Sequence, residues 1–269
     1  MQSGSTRSLR GVLERTEQVL SGGVDASSLG EDLFALALTL DGTHSLRRAL
    51  TEPAVPAEAK TRLLRSLFEG QLGDAALQVA ETAVGLRWSS TRDLPDALEQ
   101  ASVAAHVARA DAENRLDSVE DNLFRFGRIV EGNPALRDAL GDSSTSLQGK
   151  RSLVADLLGD KVDATTATLL GQAIAGRHHS LTSVLALYQR VAANRRDSMI
   201  ATVWVASPLG EDQRERLTRA LARQHSRPIH LNVVVDPSVL GGARVAVGDE
   251  VLDSTVETRL QQAQRRLER

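Results

Sequence analysis

The chain contains no cysteine. This excludes a disulfide framework, a thiolate metal site and a cysteine nucleophile. Aromatic residues are only 3% of the 269 positions, so a core has to be assembled from Leu, Val and Ala, as in closely packed helices. Lysine is scarce: Lys60, Lys150 and Lys161 are the only ones among 32 basic residues, a bias read as base composition before chemistry. No apolar run approaches the roughly 18 to 20 residues that a membrane-spanning helix needs. The polar start, Met1 to Ser8, lacks the apolar segment of a secretory signal. A net charge of −3 offers no overall attraction to nucleic acid or anionic lipid. What is present, 41% apolar and 25% charged residues, is ordinary for a globular protein.

The strongest internal signal is a duplication. Shifted by 90 residues, the sequence matches itself without a gap. Leu33 and Phe34 meet Leu123 and Phe124, and Gly42, Leu46, Arg47, Ala49 and Leu50 meet Gly132, Leu136, Arg137, Ala139 and Leu140. Lys60, Leu63 and Leu67 meet Lys150, Leu153 and Leu157, and Ala83, Arg87 and Ser90 meet Ala173, Arg177 and Ser180. Most matched positions are apolar, so the pattern reads as two copies of one helical module, forming two consecutive bundles rather than a solenoid.

The second copy divides clearly. Leu116, Val119, Leu123, Phe126 and Val130 share one face of a helix over residues 112 to 131. Gly132-Asn133-Pro134 ends it and opens a short helix through Leu140. Helices over residues 147 to 158, 163 to 177 and 181 to 196 follow, with Gly159-Asp160 as a break. The first copy repeats this from about Gly11 to Ser102. Between Pro95 and Gly127 neither Gly nor Pro occurs, so one long helix is expected to leave the first bundle and enter the second.

Composition changes at Met199. Residues 200 to 206 are β-branched and read as a strand, residues 211 to 225 as an amphipathic helix, and Ile229 to Val235 as a second strand closed by Asp236-Pro237. Residues 243 to 253 read as a hairpin turning at Gly248-Asp249, with Asp253 or Ser254 capping a final helix over residues 255 to 268. The expected fold is therefore mainly α with a small α/β C-terminal domain: residues 1–110 and 111–197 as helical bundles, and 198–269 as a strand-helix-strand-strand-strand-helix module.

Reactive constellations are sparse. His178 and His179 are neighbours on a helix, pointing about 100° apart, which suits a helix end better than one metal. Asp249, Glu250 and Asp253 are read as turn and cap chemistry before a carboxylate pair. Gly241-Gly242 fits neither phosphate-loop pattern and is read as backbone freedom at a strand entry. Arg190, Arg195, Arg196, Arg214, Arg216, Arg219, Arg223 and Arg227 form a basic region, interleaved with Glu211, Asp212 and Glu215. The alternative function, a nucleic-acid-binding adaptor, rests on this 190–227 region. No catalytic, cofactor-binding or metal-ligating residue is assigned.

The ordered set Val235-Asp236-Pro237, Leu240-Gly241-Gly242, Val247-Gly248-Asp249, Val251-Leu252-Asp253 and Arg259-Leu260 resembles the C-terminal signature of the δ subunit of F-type ATP synthases, whose mitochondrial counterpart is the oligomycin-sensitivity-conferring protein. Asn133-Pro134-Ala135-Leu136, Lys150 and Arg195-Arg196-Asp197 agree with it. The likeness spans residues 112–269, and the first 111 resemble the extra copy of a long form, unfused or as that portion of a fusion behind a b-type stalk helix. Asp253-Ser254-Thr255 departs from the family's usual Asp-Gly-Ser. The resemblance implies a non-catalytic peripheral-stalk tie. Its second bundle would hold N-terminal helices of α subunits, and its last module would hold the C-terminal end of the b subunit. It also implies Asp236, Pro237, Gly241, Gly242, Gly248, Asp249, Asp253, Arg259 and Leu260 as structural signature positions. Further implications are no cofactor, no homo-oligomer, and a place at the cytoplasmic face of the cell membrane through the complex alone.

Overall fold

The computed structural model describes residues 3–142, 144–175, 180–197, 199–225, 229–237, 239, 242–247 and 250–253. The chain divides into two compact units, Met1–Arg195 and Arg196–Arg269. In the first, the helices are α1 (Ser3–Ser21), α2 (Ala26–Gly42), α3 (His44–Thr51), α4 (Ala57–Phe68), α5 (Asp74–Gly85) and α6 (Asp93–Ala112). They continue as α7 (Leu116–Gly132), α8 (Pro134–Gly141), α9 (Leu147–Leu158), α10 (Ala164–Ala173) and α11 (Leu181–Asp197).

Local chemistry places several helix starts. Asp25 caps α2 by accepting from the Ser27 and Ser28 backbone N–H groups at 3.2 and 3.3 Å. These bonds, and above all one from the Ser28 hydroxyl, hold the Asp25 carboxyl below its ordinary pKa. Asn133 caps α8, with Pro134 at its first turn, while Ser146 caps α9 and Asp163 caps α10.

The single long helix expected across residues 92 to 131 is two helices. α6 stops at Ala112, and Asn114 takes a left-handed φ of 55°. The Arg115 N–H then bonds back to the Ala110 carbonyl at 2.7 Å, closing the helix end. Asparagine does here what glycine does more often, so no Gly or Pro marks the break. The helix expected over residues 163 to 177 ends at Ala173, where Ile174 closes the last turn on Leu170. Residues 176–179, which include His178 and His179, lie outside the described residues.

Two hydrophobic cores fill this unit, and α6 belongs to both. Leu94, Ala97, Leu98, Ala101 and Ala105 enter the first core with side chains from α1 to α5. Val103, Val107 and Ala110 enter the second with side chains from α7 to α11. A helix apolar on opposite faces has to be buried on both. The boundary expected near residue 110 falls inside this one unit, at the end of α6.

Polar bonds also gather around the shared helix α6. Ser102 on α6 donates to the Gly30 carbonyl on α2 at 2.6 Å, and His106 pairs through Nε2 with the Gln172 amide of α10 at 3.0 Å. Burial first, then Arg109, pushes the His106 pKa down to about 4, against a partial pull upward from Asp25. The ring is therefore neutral near pH 7, and its Nε2 accepts. A Cβ on Gly30 would come within 2.5 Å of that nitrogen, so α2 and α6 approach this closely only because position 30 is glycine. The Tyr188 hydroxyl donates to buried Glu99 at 2.8 Å. Arg195 grips both Glu17 oxygens at 2.7 Å and Asp111 at 2.9 Å. Burial opposes its charge, but the two carboxylates outweigh that and raise its pKa.

The second unit is built from β1 (Met199–Val205), α12 (Glu211–His225), β2 (Ile229–Val235), β3 (Ala243–Val247) and β4 (Glu250–Asp253). The sheet order is β2-β1-β3-β4, with β1 parallel to β2 and antiparallel to β3. Alternation places Ala201, Val203 and Val205 on one face, with Leu231, Val245 and Val247, against Leu221 of α12. On the other face Arg244 sits 5.4 Å from the Trp204 ring, its cross-strand partner. β3 and β4 form the expected hairpin through Val247↔Glu250. The expected final helix lies outside the described residues.

Two outcomes test this packing. Gly30→Ala is expected to lower stability by about 1–3 kcal/mol in urea denaturation, with a smaller loss in a His106→Ala background because the clash is gone. Unfolded His106 takes a proton below about pH 6.5, whereas the folded ring refuses it until about 4. Its contribution is therefore whole above that window and fades as pH falls through it, by up to about 3 kcal/mol. His106→Gln is expected to flatten that part of the stability–pH curve.

Candidate functional site

The duplicated positions behave differently in the two copies. Phe34 on α2 is 6% exposed, whereas its counterpart Phe124 on α7 is 57% exposed. Phe34 faces α9 and α10 across an apolar cavity of about 560 Å³, with Leu38, Val154, Leu158 and Ile174 in its walls. The second copy thus shelters the phenylalanine of the first, while its own stays open to solvent. Ile129 on α7 and Leu153 and Leu157 on α9 are also exposed. Leu153 and Leu157 are one turn apart and share a stripe. These four are the majority of the large apolar side chains left exposed among the described residues. Phe124 and Ile129, five residues apart on α7, and the Leu153–Leu157 stripe on α9 thus leave apolar side chains open on two helices of an otherwise packed bundle.

The α/β unit exposes Val234 and Val235 at the end of β2, the edge strand of the sheet. The signature positions follow directly. The Asp236 N–H donates to the Val205 carbonyl at 2.9 Å, and its own carbonyl accepts from Val239 in a turn. Pro237 stands exposed in that turn, where a missing N–H costs nothing to the ladder. Gly242 has a φ of 81°, a conformation that glycine adopts freely, just before β3. Asp253 ends β4 opposite Arg244. These residues occupy turns and strand ends around the sheet and do not converge on one cavity. Gly241, Gly248, Asp249, Arg259 and Leu260 lie outside the described residues.

Several members of the basic region are engaged inside their own units. Arg195 is spent on Glu17 and Asp111, Arg219 pairs with Glu215 at 3.7 Å, and Arg214 donates to the Leu231 carbonyl at 3.4 Å. Arg227 lies outside the described residues. No group of three or more His, Asp or Glu side chains able to hold a metal occurs among the described residues. The shifted carboxylates, Asp25 and Asp142, owe their shifts to capping and turn bonds, in each case first to a neighbouring serine hydroxyl.

Sequence reasoning missed the junction network of Gly30, Ser102, His106 and Gln172. A signal was present: the residues 90 positions away are Glu120, Ala192, Arg196 and Thr82, so the repeat is broken at all four.

This architecture defines a class of protein: a tandem of fused helical bundles followed by a small mixed-sheet module, with apolar side chains left exposed on both. The family model of the ATP synthase delta (OSCP) subunit matches residues 101–267, starting within α6. "ATP synthase subunit delta" of Streptomyces coelicolor is 44% identical over 269 residues, covering 99% of this chain and 98% of that protein. The proteins of the same description from Thermobifida fusca and a Nocardioides species are 42% and 43% identical, with 99% and 97% of each chain covered. The chain belongs to the ATP synthase delta (OSCP) subunit family. It has the role of a delta subunit within that complex, and the extra first copy is shared with these relatives over their whole length. No helix among the described residues is long and apolar enough to cross a membrane.

The two phenylalanines give a direct test of the covered and open faces. Phe34→Ser is expected to cost about 3 kcal/mol or more, seen as a large drop in Tm. Phe124→Ser is expected to stay within about 0.5 kcal/mol of the parent.

Proposed function

We propose that the chain is a non-catalytic tie of the peripheral stalk, joining the α/β catalytic hexamer to the b stalk so that the hexamer does not turn with the rotor. Three parts share the work: an extra bundle over residues 1–110, a bundle over 111–197 that receives N-terminal helices of α subunits, and a module over 198–269 that receives the C-terminal end of b. The observation that carries the reading is the exposed set Phe124, Ile129, Leu153 and Leu157 on a bundle whose core is otherwise closed. An amphipathic helix laid on such a surface buries its apolar face without any reacting group. The exposed Val234 and Val235 offer the module a second, separate contact. The signature residues Asp236, Pro237, Gly242 and Asp253 shape the sheet that carries it. The chain would sit at the cytoplasmic face of the cell membrane, held there by its partners alone.

Removing residues 199–269 leaves the helical unit with both of its cores. In pull-downs, this truncated chain is expected to keep binding a peptide of the α-subunit N-terminus and to lose the soluble part of b. Retained b binding would overturn the assignment of the last module. Phe124→Ser combined with Leu153→Ser is expected to weaken the α-peptide about tenfold or more, as loss of well-buried anchors does, and to leave b binding unchanged.

A further inference from the structure

The first bundle has a cavity that the surfaces above do not include. α3 and α4 wall a space of about 500 Å³. Ala49, Val55 and Leu63 form its apolar side, and His44, Arg48, Glu52 and Lys60 its polar side. Lys60 is only 5% exposed, yet it makes no hydrogen bond or ion pair with a described residue. Burial lowers its pKa, and Glu52 offsets this only in part. Its aliphatic stem is packed away while the ammonium, partly desolvated and without a partner among the described residues, borders the cavity, and a carboxylate brought to it would form a charge-assisted hydrogen bond.

The duplication supplies an internal comparison. Lys150 and Leu153 keep the lysine and the leucine of this cavity, and Lys150 is likewise buried at 8% exposure. The other positions change: His44, Arg48 and Glu52 correspond to Pro134, Asp138 and Asp142. The second copy therefore carries carboxylates at two of the corresponding positions, and Lys150 helps to lower the Asp142 pKa, after the bonds from Ser144. The first copy sets one carboxylate against Lys60, Arg48 and His44. Lysine and leucine belong to the shared fold, whereas the surplus of positive charge belongs to the first cavity alone. Its apolar side does not stop at the rim. Leu67, one turn beyond Leu63 on α4, is 41% exposed. A small anion would leave that strip uncovered, but a helix would not.

We propose that the α3–α4 cavity of the first bundle is a docking site for an acidic amphipathic helix of a partner subunit. One carboxylate enters between Lys60 and Arg48, and neighbouring aliphatic side chains cover Val55, Leu63 and Leu67. The inference rests on the reading of this chain as a tie and gives its extra bundle an occupant of its own.

The test uses the full chain and a fluorescein-labelled, end-blocked amphipathic helical peptide of Glu and Leu, read by fluorescence anisotropy, beside a version with Gln in place of Glu. The Glu peptide is expected to bind about tenfold tighter than the Gln peptide, and Arg48→Asp and Lys60→Met each to weaken it about tenfold. Arg48 is exposed, so Arg48→Asp is expected to keep the parental Tm, which separates lost binding from lost folding. Phe124→Ser is expected to leave the Glu peptide bound as before. Equal binding of both peptides, no binding of either, no effect of Arg48→Asp, or loss of binding in Phe124→Ser would each overturn the inference. If the α-subunit peptide still binds through Phe124 in any of those outcomes, the tie itself stands and only this site falls.

Discussion

Everything in the helical unit depends on α6 being buried on two opposite faces. Leu94, Leu98, Ala101 and Ala105 close one core, and Val103, Val107 and Ala110 close the other. A helix with a single apolar stripe could have ended one bundle or begun the next, but not both. Small residues make the sharing possible. Ala97, Ala101 and Ala105 let neighbouring helices approach α6 closely, and Gly30 lets α2 come within reach of His106. The price of that closeness is a polar cluster sealed inside, and Ser102, His106 and Gln172 satisfy one another there with the Gly30 carbonyl.

Sharing one helix has a mechanical consequence. Two bundles joined by a loop could turn independently, whereas two bundles that use the same helix cannot separate without opening a core. Arg195 reinforces this by joining α11 to both α1 and α6, and Tyr188 does so through Glu99. A subunit that transmits restraint between other subunits gains from such stiffness, because slack at any joint would be taken up before load is carried. The same duplication that stiffens the unit also leaves apolar side chains of its second copy open to solvent. Each copy presents a phenylalanine on its second helix, and only the first has a following copy to cover it.

Much of this architecture was legible residue by residue. α9 and β2 run over the very residues expected, because Ser146 and Gly159 bound the helix and Asp236-Pro237 closes the strand. The hairpin followed from valine alternation around a two-residue connection. The break after α6 was not legible, since Asn114 turns the chain without the glycine or proline that usually announces it. The junction cluster was hidden for another reason: Gly30, Ser102, His106 and Gln172 come from three helices, and although the repeat breaks at all four and Ser102 and His106 lie one turn apart on α6, no sequence spacing joins that pair to Gly30 and Gln172. The membership in the delta (OSCP) family rested on turn and strand-end residues of the last module, which are short-range features that a sequence displays openly.

The sequence by itself determined the helices, their caps, the duplication and the alternation of the sheet, because periodicity and capping act between residues a few positions apart. The tertiary structure decided how the phenylalanine face of each copy is covered. Phe34 and Phe124 occupy the same place in the same repeat, yet one is sheltered and the other faces solvent. The chain neighbours lean the same way, Ala35 and Leu38 near Phe34 against Arg125 and Arg128 near Phe124, but burial itself is set by whatever packs alongside, and only the first copy has a second copy following it.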